Sequence, residues 1–255
     1  MPRTADLHQR IAPAHAYIGT SGWHYAAWRK RFYHGLPEQQ WLGFYCRHFN
    51  SVEINASFYR LQSRETYRRW HDTTPPDFRF SLKGNRYLTH YKKLMNPQPG
   101  IRLERERAQG LGAKLRVVLW QLPFSLTIDL ARLGEFAQAL TAWPEARHAI
   151  EFRHPSWFNQ QVATCLHTHG IAVCQSDAAD WPMWQAITTD LVYMRLHGHD
   201  ATYASSYPAQ ALQCWAQHIN GWLAENREVH VYFDNDAHGA APLNARTLAS
   251  LVLAK

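Results

Sequence analysis

Four cysteines are spread through the 255 residues, at Cys46, Cys165, Cys174 and Cys214, and no two of them form a Cys-x-x-Cys pair. That scatter argues against a disulfide framework and against a thiolate metal site, and it fits a reduced compartment. No apolar run approaches the roughly 20 residues a membrane-spanning helix needs. The opening MPRTADLHQRIAPAHA lacks the apolar core of a secretion signal, so the expected location is cytoplasmic, with no membrane partner. There is no Gly-x-Gly-x-x-Gly after the first strand-like segment, no Gly-x-Ser-x-Gly and no His-Glu-x-x-His. These absences speak against a dinucleotide fold, a serine-hydrolase elbow and a zincin helix. No linker, repeat or low-complexity stretch divides the chain.

Aromatic residues are plentiful: 11 Trp, 12 Tyr and 11 Phe within a 46% apolar composition, enough for a sizeable core. Charge is uneven. From Arg60 to Arg116 there are 14 Lys or Arg against five Asp or Glu, a net +9, which leaves −2 for the rest of a chain whose total is +7. Such a block suits phosphate-bearing partners, and Tyr67, Trp70, Tyr87 and Tyr91 within it could stack on bases. The spacing of Arg64, Arg68 and Arg69 also fits the solvated face of a helix, which is the blander and favoured reading.

Eight short segments rich in β-branched and aromatic residues recur: YIGTSGW, SVEINASFY, DFRFSLKG, LRVVLWQLP, RHAIEFRHP, IAVCQSD, LVYMRLHG and EVHVYFDND. Amphipathic stretches of helical length separate most of them, which implies a parallel sheet. Eight units close naturally into a (β/α)8 TIM-type barrel, expected as a single α/β domain over residues 1–255 with 1–15 a loose N-terminal extension. Two connections depart from the pattern, a long basic one from Gly84 to Lys114 and a short one from Ala178 to Asp190. Both are expected to form a lid or rim.

Along a barrel strand, alternate residues point inward, and the last inward positions reach the face where such enzymes keep their chemistry. Glu53 and Asn55 oppose Val52 and Ile54, and Glu151 and Arg153 oppose Ile150 and Phe152, so the polar sets are expected inside. The alternation adds Lys83, Gln121, Asp177, Arg195, His197 and the segment Asp234–Asp236. A purely structural barrel fills these layers with branched aliphatics, because an unpaired buried charge costs several kcal/mol. In the third-last strand segment, Cys174 alternates with Val173 and is expected to face the helices.

At these residues the chain resembles the YecE-like proteins, also called domain-of-unknown-function family 72. The matching strings are IGTSGWHYAAW from Ile18, FNSVEINASFYRLQSRETYRRW from Phe49, FRFSLKGNRYLTH from Phe78, EFRHPSW from Glu151, YMRLHG from Tyr193 and YFDNDAHGAAPLNA from Tyr232. They span nearly the whole chain in order. The resemblance implies the barrel fold and marks, among others, Trp23, Glu53, Asn55, Tyr59, Lys83, Thr89, His90, Glu151, Arg153, Trp157, Arg195, His197, Asn235 and Asp236. It brings no reaction with it. Asp234 stands where the family commonly carries Asn, adding a negative charge.

Three functions are compatible with this pattern. The leading expectation is general acid–base catalysis on a small polar or phosphorylated substrate, with Glu53 and Glu151 as the proton-handling pair and Asp177, His197 and Asp236 completing the catalytic set. Lys83, Arg153 and Arg195 would then hold the anion, Asn55 and Asn235 would bind it, and Trp23, Tyr59 and Trp157 would wall the pocket. No cofactor is expected in this reading. The second is a divalent-metal site drawn from Glu53, Glu151, Asp177, His197, Asp236 or His238, for which the adjacent cations would compete. The third is a non-catalytic nucleic-acid binder using the basic block. The sequence decides neither between catalysis and binding nor the oligomeric state.

Overall fold

In a computed structural model, which describes residues 16–253, the eight segments become strands β1 (Ala16–Thr20), β2 (Ser51–Ile54), β3 (Arg79–Lys83), β4 (Leu115–Gln121), β5 (Arg147–Glu151), β6 (Ile171–Asp177), β7 (Leu191–Leu196) and β8 (Glu228–Phe233). The expected extension over residues 1–15 lies outside the described residues. All ladders are parallel, in the order β1-β8-β7-β6-β5-β4-β3-β2. Helices α1 (Trp28–Arg31) and α2 (Trp41–Tyr45) follow β1, while α3 (Ala56–Tyr59) and α4 (Arg64–Thr73) follow β2. Then come α5 (Gln98–Ala108) after β3, α6 (Leu130–Leu140) after β4, α7 (Gln160–Thr168) after β5, α8 (Ala209–Ala224) after β7 and α9 (Ala241–Leu253) after β8. Side-chain caps start three of them: Ser63 accepts from Thr66 N, Asp129 from Arg132 N, and Asn159 from Gln161 N and Val162 N.

The circle closes at a thin seam. Between β1 and β2 there is a single bridge, Ser21 with Glu53, beside which Gly22 N donates to Glu53 O at 2.7 Å. Side chains stand in for the missing ladder. Asn50 accepts from Ile18 N at 3.2 Å and donates to Ala16 O at 2.8 Å; the Tyr45 hydroxyl accepts from Thr20 N at 2.9 Å and donates to Ser51 O at 3.1 Å. The strands approach so closely there that a Cβ on Gly19 would come within 2.2 Å of Ser51 O.

The main apolar core lies between strands and helices, where Trp120 meets Phe136 edge-on and Val52, Ile54, Ile150 and Phe152 are buried. Inside the barrel a smaller cluster contains Val117, Leu119, Ala149, Tyr193 and Tyr232, and it also contains Cys174. The expectation that Cys174 faces the helices is therefore corrected: Val173 takes the outer core, and β6 runs in the opposite phase. Tyrosine–serine pairs complete the interior, with Tyr232 Oη 2.7 Å from Ser51 Oγ and Tyr193 Oη 2.7 Å from Ser81 Oγ.

Both atypical connections can now be placed. The stretch Gly84–Lys114 is mostly helical, a π turn at Tyr87–Tyr91 followed by α5, whose Ile101, Glu104 and Ala108 are buried in the helical layer. Of the expected lid or rim, the π turn supplies a rim, with His90 beside Lys83, while amphipathic α5 fills the helical place after β3. The connection after β6 carries no helix and lays Trp181 across the barrel mouth. None of the four cysteines is in a disulfide, and no helix among the described residues is long and apolar enough to cross a membrane.

Candidate functional site

At the carboxyl ends of the strands one guanidinium collects three carboxylates. Arg195, on β7, has no exposed surface. Its Nη2 lies 3.0 Å from Glu53 Oε1 and 2.8 Å from Asp234 Oδ2, and its Nη1 lies 3.0 Å from Glu151 Oε2. Glu53 also accepts from Ser21 Oγ at 2.5 Å and from Tyr193 Oη at 2.6 Å. Glu151 meets Arg153 Nε at 2.6 Å and accepts from Ser176 Oγ at 3.1 Å. His197 joins two of the acids, with Nδ1 3.1 Å from Asp234 Oδ2 and Nε2 3.5 Å from Glu151 Oε1. Each of the three carboxylates accepts a hydrogen bond from Arg195, while Arg153 Nε and His197 Nδ1 pair with them by proximity alone, and such pairing is the condition for keeping ions away from water.

Burial by itself would raise the carboxyls. At Glu151 it is overcome by Arg153, Arg195 and His197, which hold that acid well below the usual carboxylate range. At Asp234 it is overcome by Arg195, His197 and Lys83. Asp236 behaves oppositely. Burial, and then the neighbouring Asp234 charge, push it well above the ordinary value, and neither of its oxygens has a hydrogen-bond partner among the described residues. Two acids from one strand end are thereby pushed in opposite directions, Asp234 towards the ionised form and Asp236 towards the protonated one.

Above the network lies a layer of cations. Lys83 ends β3, and its ammonium sits 3.4 Å from Asn55 Oδ1 and 4.2 Å from the centre of the Phe58 ring. Burial and Arg195 lower it to about 8. The guanidinium of Arg153 stacks on Trp181 at 3.7 Å, and Trp181 Nε1 donates to Ser176 Oγ at 3.1 Å. His90 is half-buried beside these groups and receives or donates a 2.8 Å bond with Thr89 Oγ1; burial, then Lys83, Arg86 and Arg153, bring it down to about 4.

A cleft of about 700 Å3 opens next to this mouth, over the β1–β2 seam, lined by Trp23, Tyr25, Glu38, Asn55, Tyr59, Arg69 and Trp70 among others. Trp23 meets Trp70 edge-on at 5.0 Å. Tyr25 donates to Ser21 O at 2.5 Å and feels Asp236 directly, while Asn55 reaches Lys83. Asn55 and Tyr25 are thus where cleft and network touch.

The sequence-derived candidates separate accordingly. Glu53, Glu151, Arg153, Arg195 and His197 converge in one network, with Lys83 and Asn55 at its edge; Trp23 and Tyr59 line the cleft. Asp177 does not join them: with β6 in the opposite phase, Ser176 points inward and Asp177 accepts from Tyr207 Oη at 2.8 Å. Trp157 is fully buried, stacked on Phe152 and donating to Leu126 O at 2.7 Å, so it packs the core instead of walling a pocket. Asn235 donates to Ser205 O and Asn244 Oδ1, at 2.8 and 2.9 Å, and fixes the loops after β7 and β8. At the end of β8 it is Asp234, not Asp236, that reaches Arg195. Alternation through His230 and Tyr232 signals that position, and counting back from Arg195 signals Tyr193. Trp181, on an irregular loop, leaves no periodic trace.

Comparisons with known proteins agree with this architecture. Residues 17–255 match the family described as protein of unknown function DUF72. The UPF0759 protein YunF of Bacillus subtilis is 24% identical over 92% of this chain and 94% of its own length. The UPF0759 protein YecE of Escherichia coli K12 is 29% identical over 61% of this chain and 56% of its own length. Among solved structures, a DUF72 family protein from Thermotoga maritima superposes with a TM-score of 0.76 at 26% identity, covering 91% of this chain and 97% of that one. One from Enterococcus faecalis superposes with a TM-score of 0.81 at 19% identity, covering 93% and 95%, and attests the fold. With eight parallel strands in this order and a match over nearly its whole length, the chain belongs to the DUF72 family.

Proposed function

We propose that the protein is an enzyme that binds a small phosphate- or carboxylate-bearing substrate at the carboxyl-terminal mouth of the barrel and acts on it by proton transfer. The carrying observation is the order of charge with depth. Glu53 and Glu151 have no exposed surface, whereas Lys83 and Arg153 keep 5% and 7%. An arriving ligand therefore meets these two cations, with the 11% exposed Asp234 side chain beside them, before either glutamate, and burial first and then Lys83, Arg86 and Arg153 lower the pKa of His90. In this reading Glu53 and Glu151 position Arg195 and Arg153, and the sequence-based assignment of proton handling to them passes to other groups. His90, lowered to about 4, is the base in this reading, and Asp236, whose burial favours the protonated form, is the acid.

No cofactor is assigned. The divalent-metal alternative ranks below this reading because Arg195 sits where a dication would bridge Glu53, Glu151 and Asp234. Among the described residues no group of three or more His, Cys, Asp or Glu is arranged to hold one. A second reading, a surface for single-stranded nucleic acid, draws on exposed Tyr59 and Tyr91, which flank the Arg86 guanidinium at 5.5 Å each.

Thermal unfolding in inorganic phosphate tests the anion site. At ten times the dissociation constant, ligand binding adds about 1.4 kcal/mol, or a rise of about 3–6 °C for a domain of this size. The rise should saturate in the wild type and vanish in Arg153→Ala. An equal rise in chloride at matched ionic strength would remove the anion site. A short oligonucleotide that competes with phosphate and binds with a steep salt dependence would favour the second reading.

A further inference from the structure

We propose that Lys83 is a nucleophilic amine that forms an imine with a small aldehyde or ketone carrying a phosphate or carboxylate. The proposal rests on the anion-holding mouth described above and adds the identity of the reacting group.

Two lysines of this chain are buried to nearly the same degree, Lys83 at 5% and Lys114 at 6% exposure, and their surroundings differ sharply. An ammonium carries three donors and no acceptor. Lys114 fills all three, donating to His71 O at 2.6 Å, Thr74 O at 2.6 Å and Thr74 Oγ1 at 3.0 Å. Lys83 has one side-chain acceptor, Asn55 Oδ1 at 3.4 Å, and otherwise the face of Phe58. Among the described residues no carboxylate pairs with it, because Arg195 takes Glu53 and Asp234 and shares Glu151 with Arg153. A buried ammonium left in this state gives up its proton readily, and the free amine is the nucleophile.

Placement supports the same role. Lys83 is the last residue of β3, and Ser57 Oγ fixes its carbonyl with a 2.6 Å bond. Its acceptor Asn55 lines the cleft, so a small molecule entering there arrives beside the amine. Arg153 and Arg86 stand near enough to act on His90 together with Lys83, and can hold the substrate's anionic end while its carbonyl meets the amine.

The chemistry is complete without an oxidant or reductant. The nitrogen lone pair adds to the carbonyl carbon, a proton passes from nitrogen to oxygen, and a carbinolamine results. Its hydroxyl takes a proton and leaves as water, the nitrogen lone pair forms the C=N bond, and the remaining N–H proton returns to solvent or to His90. Amine and carbonyl have become imine and water.

Borohydride trapping tests the proposal. The full chain is incubated with glyceraldehyde 3-phosphate, reduced, digested and read by mass spectrometry. Labelling at Lys83 should exceed that at Lys30, Lys92 or Lys93 by about tenfold or more, compete with inorganic phosphate, and level off in rate above a pH of about 8. Lys83→Arg, which keeps the positive charge and cannot form the imine, should lose the adduct. Label spread evenly over the lysines, or no Lys83 label while phosphate still stabilises the chain, overturns the covalent role and leaves the anion site standing. If phosphate stabilises neither protein, both readings fall.

Discussion

Replacing Arg195 by Met keeps an unbranched stem and removes the guanidinium and its charge from the centre of the network. Two Glu53 contacts, one Glu151 contact and one Asp234 contact are lost together, at 3.2, 3.0, 3.0 and 2.8 Å. Stranding buried partners of a broken ion pair costs about 3–5 kcal/mol. For a chain of this length each kcal/mol is worth about 2–4 °C, so the melting temperature near neutral pH should fall by about 6–20 °C. The sign of the pH dependence sharpens the test. In the wild type Glu151 and Asp234 are held below their unfolded values, so their contribution is present above about pH 4 and is lost as the pH falls further. In the variant burial acts on them without Arg195 and favours the protonated form, so the variant recovers stability as the pH falls. Differential scanning calorimetry at about pH 7.5 and pH 5 should therefore show the gap narrowing at the lower pH. A gap below about 2 °C, or one equal at both values, would refute the view that Arg195 is the electrostatic centre.

Two further outcomes follow from groups away from the mouth. Glu104 is buried, accepts from Asn85 N at 2.5 Å through one oxygen and leaves the other without a hydrogen bond, and burial pushes its pKa up to about 8. The native state then holds a proton that the unfolded chain releases above about pH 4.5, so the wild type loses stability up to about pH 8. Glu104→Gln should unfold at higher urea than the wild type at pH 8 and match it near pH 5, and parallel pH profiles would contradict this. Asn50→Ala removes two of the side-chain links across the β1–β2 seam, leaving those of Tyr45, and should cost about 1–3 kcal/mol in urea unfolding, with the phosphate response unchanged.

Much of the barrel was legible because each strand declares itself by composition and its faces by alternation. Glu53, Glu151 and Arg195 could be placed inside from the sequence, since a charged residue between two apolar neighbours leaves little choice of phase. In β6 that rule lost its grip. Val173, Cys174, Gln175, Ser176 and Asp177 offer no clean contrast between faces, so the charge at Asp177 was given an inward position that small, polar Ser176 occupies. Trp157 misled for a different reason: a tryptophan near a strand end reads as a pocket wall, whereas packing on Phe152 and a bond to Leu126 O make it core. What no periodicity could carry was the depth order of charge, which depends on how far each side chain reaches and on Trp181 folding over Arg153.

The thin seam has a mechanical consequence. β1 is laddered to β8 on one side, and on the other it meets β2 through one bridge, the Gly22 amide and the side chains of Asn50 and Tyr45. The loop that continues this stave carries Trp23 and Tyr25 into the cleft. A guest bound there would rest on the join of the cylinder, and its binding should slow amide exchange in β1 more than in β5.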